Sequence, residues 1–549
     1  MTAPRAASPT EPLPGTGPLA GTGTLIRFVL RRDRVRLPVW ILALFLGTVS
    51  TARNYTTLYA DPEARASVAA TLGSPAGLAM TGPRRYLADY TFGAMAGHQL
   101  LGFMTVLTGF MSVLIITRHT RDEEETNRAE LVRSTVVGRH AHLAAALSVA
   151  VLANLALALL VAVGLGRMDL APDGAAGSLL LGLAYAAVGI VFASVAAITA
   201  QVTAHTRGAS GAALAVIGLA YVLRAAGDAG GTAALSWLSP IGWAQRTYVY
   251  VDNRWWPLLL CLALAVLCAG TGFVLSVRRD VGAGLRATRP GSPVPSAALT
   301  RPLGFALRLH RSLLAGFGAG LFLMGVMYGS ILGQADDMLK NIDGIQEALR
   351  RTGGATTAES FASMVIVVLA VVASVYVVTA ALRPRSEENA GRVESLLATG
   401  LSRTRWAGSH LAVALVGGTA VLLLGGLGIG VAGAASTGDA GLVPGLLGAA
   451  LAYAPALWVT AGVAAVLFGW LPRASSAAWI VPVYAFVTGY LGKLLGFPEW
   501  TNALSPVGQV PNLPAAGMSW TPMVVLTLVA AGLLRFGLEG FRRRDLETR

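Results

Sequence analysis

The sequence predicts an all-α polytopic membrane protein: twelve transmembrane helices in two direct six-helix repeats, with both termini inside. Three observations carry this. The 549 residues are 54% hydrophobic and only 13% charged, about half the charge of an ordinary soluble domain. Apolar runs long enough to cross a bilayer recur along the chain. Charged landmarks of the first half return in the second at a nearly constant offset.

A crossing helix needs about 20 mostly apolar residues. Such runs lie at 37–53, 97–117, 142–166, 177–200, 208–227, 255–277, 312–333, 361–381, 407–434, 443–470, 475–496 and 520–538. Segment 1–23 is rich in Pro, Gly and Thr and lacks the apolar core of a signal peptide; it reads as a disordered cytoplasmic tail. With the N-terminus inside, the cytoplasmic pieces hold 30 of the 42 Lys and Arg residues. This is the positive-inside bias. The net charge of +14 therefore reads as orientation in a bilayer, and nucleic acid is not an expected partner. Cys261 and Cys268 lie about 10 Å apart along one helix, too far for a disulfide. The seven histidines are scattered, so no metal site is expected.

The acidic stretches RDEEETNRAE (121–130) and RSEENAGRVE (385–394) align at an offset of 264, LSPIG (238–242) and LSPVG (504–508) at 266, and the RRD triplets at 278–280 and 543–545 at 265. Upstream, FVLRRDR (28–34) matches FALRLHR (305–311) at 277, so the first half has about a dozen extra residues between its first two spans. Even numbers of spans give both halves one orientation. The expected layout is a first half over 24–279 with a charged loop at 118–141, a Gly/Pro/Ser-rich linker at 280–301, and a second half over 302–549 with a charged loop at 382–406.

Each acidic stretch follows the second span of its half. Glu124 with Arg128 and Glu388 with Arg392 are spaced as i,i+4 helical pairs, with Leu131 and Leu396 as an apolar flank. A short amphipathic helix at the membrane surface is expected, the competing reading being a solvated helical loop. Repetition of the pattern suggests a partner that is itself two-fold.

With its EE-x-x-x-R-x-E cores and LSP-[IV]-G segments, the chain resembles the permease subunit of type-2 ATP-binding-cassette exporters. Within these it is similar to the double-length actinobacterial exporters of polyketide antibiotics, the tetronasin-type transporters. The resemblance runs from about Thr24 to the end. It implies that Glu123, Glu124, Arg128 and Glu130, with Glu387, Glu388, Arg392 and Glu394, dock a separate ATPase subunit, two copies per chain. It further implies amphipathic connecting helices at 24–37 and 305–314, the first with Leu25, Phe28 and Val29 as its apolar stripe. The segments around Ser239, Pro240 and Trp243, and around Ser505 and Pro506, would help close an outer gate. The second and fifth spans of each half would line the substrate path, nominating Phe103, Phe110, Met111, Tyr221, Met364, Tyr376, Tyr484 and Phe486.

The chain has no G-x-x-x-x-G-K-[ST] phosphate loop, no HExxH and no nucleophile elbow. It is expected to be no enzyme and to hold no cofactor, ATP and Mg belonging to the partner ATPase. The site is the bacterial plasma membrane, and the substrate a hydrophobic or amphipathic drug-like compound. The first rival is a secondary carrier driven by an ion gradient, which would want carboxylates deep in the spans; none is read there, and Arg224 is expected to snorkel from a span end. A membrane-embedded enzyme or assembly factor is the second. Segments 61–73 and 336–354 read as small helical caps on the outer side.

Overall fold

A computed structural model of the chain describes residues 17–134, 137–171, 174–230, 233–279, 282–285, 293–330, 332–334, 357–491 and 499–546. The expected cap at 336–354 and part of the linker lie outside them. Among the described residues every regular element is helical. The chain divides into two compact units, Met1–Pro290 and Gly291–Arg549.

The first unit opens with α1 (Thr22–Arg32). Leu25 and Val29 are buried, while Arg27 and Arg31 are exposed. Phe28, expected on the apolar stripe, is instead on the outside, as suits a helix lying in the membrane interface. At Asp33 the chain bends by 68° into α2 (Arg36–Leu58). A short helix, Pro62–Leu72, follows, started by Asp61 and its Pro at the first position. Next comes a helical turn, Phe92–Met95, and a π-turn, Ala96–Leu100, leading into α3 (Leu101–Arg118). Such wide turns often mark places where a polar group must be housed. Here it is buried His98, held by the hydroxyls of Thr81 and Tyr90, each at 3.0 Å.

Four more long helices follow in the unit: α4 (Ala141–Gly166), α5 (Gly174–Val202), α6 (Thr206–Ala229) and α7 (Pro257–Val277). The α4–α5 crossing is close because Gly182 has no Cβ; one placed there would stand 2.4 Å from the Ala158 carbonyl oxygen. Small residues at crossings let backbones approach where the bilayer supplies no hydrophobic drive between helices. Leu259, Leu262, Val266 and Leu267 on α7 are each more than half exposed, an apolar face that lipid covers at no cost.

The second unit contains α8 (Pro302–Gly329), α9 (Thr357–Ala381), α10 (Arg403–Thr437), α11 (Leu442–Leu451), α12 (Ala454–Trp470) and α13 (Trp520–Arg543). Residues 305–314 are not a separate connecting helix. They form the first turns of α8, since nothing there repeats the Asp33–Arg34–Val35 break of the first unit.

Ten helices among the described residues are long and apolar enough to cross a membrane, eleven if α1 and α2 count as one bent span. Each matches an expected run. The exception is 475–496. It becomes a 3-10 stretch, Pro472–Trp479, a short helix, Ile480–Phe486, and a π-turn, Val487–Leu491. Pro482 lacks the amide hydrogen and resists α-helix continuation on its N-terminal side; residues 492–496 of the expected run lie outside the described residues.

Candidate coupling loops and outer segments

The charged loop of the first unit is two short helices, Arg121–Glu125 and Arg128–Arg133; that of the second unit is Arg383–Asn389 and Arg392–Leu397. The break falls at Asn127 (φ 56°) and at Gly391 (φ 70°), which are equivalent at the offset of 264. Gly, and less readily Asn, takes this left-handed conformation at the least cost. The break corrects the expected i,i+4 pairs: neither Glu124 with Arg128 nor Glu388 with Arg392 lies on one continuous helix, and each glutamate turns inward instead.

Glu124 is buried between two guanidinium groups. Arg121 Nη1 donates to its Oε2 at 2.8 Å, and Arg279 donates through Nη2 to Oε1 at 2.6 Å and through Nη1 to Oε2 at 2.8 Å. Glu388 is held the same way, by Arg385 at 3.3 Å and by Arg544 Nη1 at 2.7 Å and Nη2 at 2.6 Å. Arg279 and Arg544 belong to the repeated RRD triplets just after α7 and at the end of α13. A bidentate pair of this kind is the strong form of a carboxylate–guanidinium bond. In each unit it fastens the charged loop to the last span.

The first glutamate of each core differs. Glu123 accepts from Arg32 at the end of α1 (2.5 Å) and lies 3.3 Å from His119 Nδ1 and 3.1 Å from His142 Nε2. Glu387 is held within its own loop by Arg383 (2.9 Å) and Arg392 (2.6 Å). That hydrogen bond from Arg392, together with the carboxylate charge, raises the guanidinium above its usual range. Glu125 accepts from the Thr206 amide (3.0 Å) and hydroxyl (2.7 Å) at the start of α6, where a carboxylate is favoured by the helix dipole. The first loop thus holds α1, α6 and α7 through three consecutive glutamates.

Of the expected docking residues, Glu123, Glu124, Glu387 and Glu388 are buried in these clamps. Arg128, Glu130, Arg392 and Glu394 are exposed. Leu131 is 73% exposed, while buried Ala129 and Val393 anchor the second short helix of each loop. Thr126 and Ala390 are exposed beside the break. With Cys261 and Cys268 removed, Thr126→Cys and Ala390→Cys should resist an impermeant thiol reagent in intact cells and react once the membrane is opened. Ready labelling of either in intact cells would place that loop outside.

The two outer segments differ in form. In the first unit Ser239 caps the helix Pro240–Gln245, and Trp243 Nε1 donates to the Trp237 carbonyl at 2.7 Å. This helix is tied to α6 by buried polar groups. Ser236 donates to Asp228 at 2.7 Å, and Arg246 reaches the same carboxylate at 3.3 Å. Arg224 is fully buried, 4.0 Å from Asp228 and with its guanidinium over the Tyr221 ring at 4.3 Å. It does not snorkel to the surface. In the second unit Ser505 is buried and Pro506 leads into a 3-10 turn, Val507–Gln509.

The nominated path residues have different surroundings within their own units. Phe103 and Met364 are 56% and 50% exposed, and Phe486 is also exposed. Phe110 packs on Trp40 at 6.0 Å. Tyr221 and Tyr484 donate to the carbonyls of Met80 (3.3 Å) and Thr501 (2.7 Å). Tyr376 is a core residue: it packs against Phe317 and its hydroxyl fills the place of a Cβ absent from Gly417. Met111 is buried and lines a cavity of about 290 Å³.

In the sequence the RRD triplets stand only as landmarks of the repeat. Their arginines were the available signal for the clamp. Nothing in the spacing of Asp33, His119 and His142 pointed to their meeting.

The chain matches the family profile described as multidrug efflux system permease Rv1217c, C-terminal domain, over residues 23–275 and 299–542. It is 39% identical, over 547 residues covering 99% of this chain and 98% of the relative, to the multidrug efflux system permease protein Rv1217c of Mycobacterium tuberculosis (strain ATCC 25618 / H37Rv). With these relatives and its long apolar helices, the chain is a multi-pass protein of the bacterial plasma membrane, and it belongs to the Rv1217c family of multidrug efflux system permeases.

Proposed function

We propose that the chain is the membrane subunit of an ATP-driven exporter of the ATP-binding-cassette type. It carries hydrophobic or amphipathic drug-like compounds out of the cell, in keeping with its relative's name. Two copies of a separate cassette ATPase, holding ATP and Mg, dock beneath the loops Arg121–Arg133 and Arg383–Leu397. The fold behind this reading is twelve spans in two direct six-helix repeats, and the two matched stretches fall one in each compact unit. The narrower kinship to polyketide-antibiotic exporters rests on the EE-x-x-x-R-x-E and LSP motifs alone.

The observation that carries the reading is the repeated clamp of Glu124 on Arg279 and of Glu388 on Arg544. A loop fastened to the last span, with Arg128, Glu130 and Leu131 left outside, is a lever with a handle. A push on the outer face is passed by Glu123, Glu124 and Glu125 to α1, α7 and α6. Closure of the ATPase dimer on ATP would supply that push and tip each half towards the outward-facing state.

One observation favours an ion-gradient-driven carrier: buried Asp33, His119 and Glu123 meet half-buried His142, with His119 Nε2 at 2.6 Å from Asp33. The cluster lies at span ends, and Arg32 and Arg118 already neutralise its carboxylates. It therefore lacks the free mid-membrane carboxylate that proton coupling needs.

Tagged chain, co-expressed with the cassette ATPase of its host, should be purified with two ATPase copies bound. Alone it should neither bind nor hydrolyse ATP, having no phosphate loop. Stoichiometric ATP binding by the isolated chain would contradict the reading.

A further inference from the structure

The 290 Å³ cavity of the first unit sits in the elbow where α1 turns into α2, walled by the end of α3 and the start of α6. Its size is near the lower end for small-ligand pockets, about 300 Å³. One wall is apolar: Leu37, Trp40 and Met111. The other carries four charges: Asp33, Arg36, Arg118 and Asp122. Two of these are spent on each other and on His119. Arg118 Nε faces Asp33 Oδ1 at 3.3 Å, and His119 holds Oδ2 at 2.6 Å. Asp33 is only 3% exposed, so its charge stays with Arg118 and His119. Arg36 and Asp122 have no side-chain partner among the described residues.

The cavity therefore offers one free cation, Arg36, one free anion, Asp122, and an apolar wall. Its net charge is zero, which suits neither a plain anion nor a plain cation. Val35, Val39, Leu42 and Leu46 form an exposed apolar stripe on α2, at 66%, 60%, 48% and 58% exposure. Arg36 adjoins that stripe at the polar end of the span, the level at which lipid headgroups lie.

We propose that this elbow cavity binds a phosphate–ammonium zwitterion carrying an acyl chain, the headgroup of a phosphatidylethanolamine from the inner leaflet. The phosphate pairs with Arg36. The primary ammonium takes Asp122. The start of the acyl tail runs along Leu37, Trp40 and Met111. A bound lipid here would wedge the joint between the interfacial helix and the first span, next to the loop that Glu123 ties to Arg32. The site stands whether transport is driven by ATP or by an ion gradient.

The test uses the purified full chain in nanodiscs of equal parts phosphatidylethanolamine, phosphatidylcholine and phosphatidylglycerol. Native mass spectrometry then reads the lipids retained after release. Phosphatidylethanolamine should be retained selectively. Arg36→Ala and Asp122→Ala should each lower its retention by about tenfold, the loss of one charge-assisted contact. On the unaltered chain, a diazirine-bearing phosphatidylethanolamine should label residues 36–40 or 111–118. Free phosphoethanolamine at the same concentration should not displace the lipid, because it lacks the tail. Preferential retention of phosphatidylglycerol or phosphatidylcholine, retention unchanged in both variants, or labelling only elsewhere would overturn the proposal. Full displacement by free phosphoethanolamine would overturn its lipid source.

Discussion

Glu124→Ala should destabilise the first unit by about 3–5 kcal/mol, the usual cost of removing one partner from a buried ion pair. The carboxylate is 4% exposed in its side chain and lies between Arg121 and Arg279. Removing it leaves two guanidinium groups out of water and facing one another. The loss should appear as a lower thermal midpoint and as export falling to background at matched expression. Glu388→Ala should act alike in the second unit, since Arg544 and Arg385 hold it in the same manner. Glu130→Ala and Glu394→Ala are the controls. Both residues are exposed, and exposed pairs are worth about 0–1 kcal/mol, so folding should be unchanged whatever happens to partner binding. Equal effects of Glu124→Ala and Glu130→Ala on stability would contradict the buried clamp.

Gly325→Leu should have the second large effect. The α8–α10 crossing is made by glycines from both helices. A Cβ at Gly325 would stand 2.2 Å from the Gly425 carbonyl oxygen, and one at Gly428 would stand 2.3 Å from that of Phe322. These are backbone atoms and cannot rotate away, so the helices must part. The cost should exceed the roughly 1–3 kcal/mol of ordinary core overpacking, and most of the chain should fail to fold. Gly320→Leu is the matched control. It lies on the same helix with nothing within 4 Å of its Cβ, and leucine is the better helix former. Its folded yield should match that of the unaltered chain. The measurement is the fraction eluting as a single species after mild detergent extraction.

Much of this was legible because the bilayer leaves few options. Every backbone polar group must be satisfied within a helix, so long apolar runs became helices nearly where expected. Run 475–496 changes helix type along its described length, and this was not legible because hydropathy does not register what Pro482 does to a helix. The EE-x-x-x-R-x-E cores were found correctly as repeated loops, but their pairing was misread. Local i,i+4 spacing supposes an unbroken helix, and Asn127 and Gly391 break it. The true partners, Arg279 and Arg544, are about 155 residues distant along the chain, and no local pattern reaches that far. Arg224 and Tyr376 were misplaced for a related reason. A charge near a span end and an aromatic in a span look alike whether they face lipid, a path or a packed core. Asp228 and Gly417, which decide the matter, meet them only in the fold.

The central claim is that ATP, through a separate ATPase docked on the clamped loops, drives outward transport. Inverted membrane vesicles containing the chain and its cassette ATPase test it most directly, with uptake of an amphipathic fluorescent dye as the readout. Uptake should require ATP, persist when an uncoupler collapses the proton gradient, and vanish with vanadate or without the ATPase. Uptake that is driven by an imposed proton gradient with no ATP present, and abolished by the uncoupler, would contradict the account and assign the chain to the ion-coupled carriers.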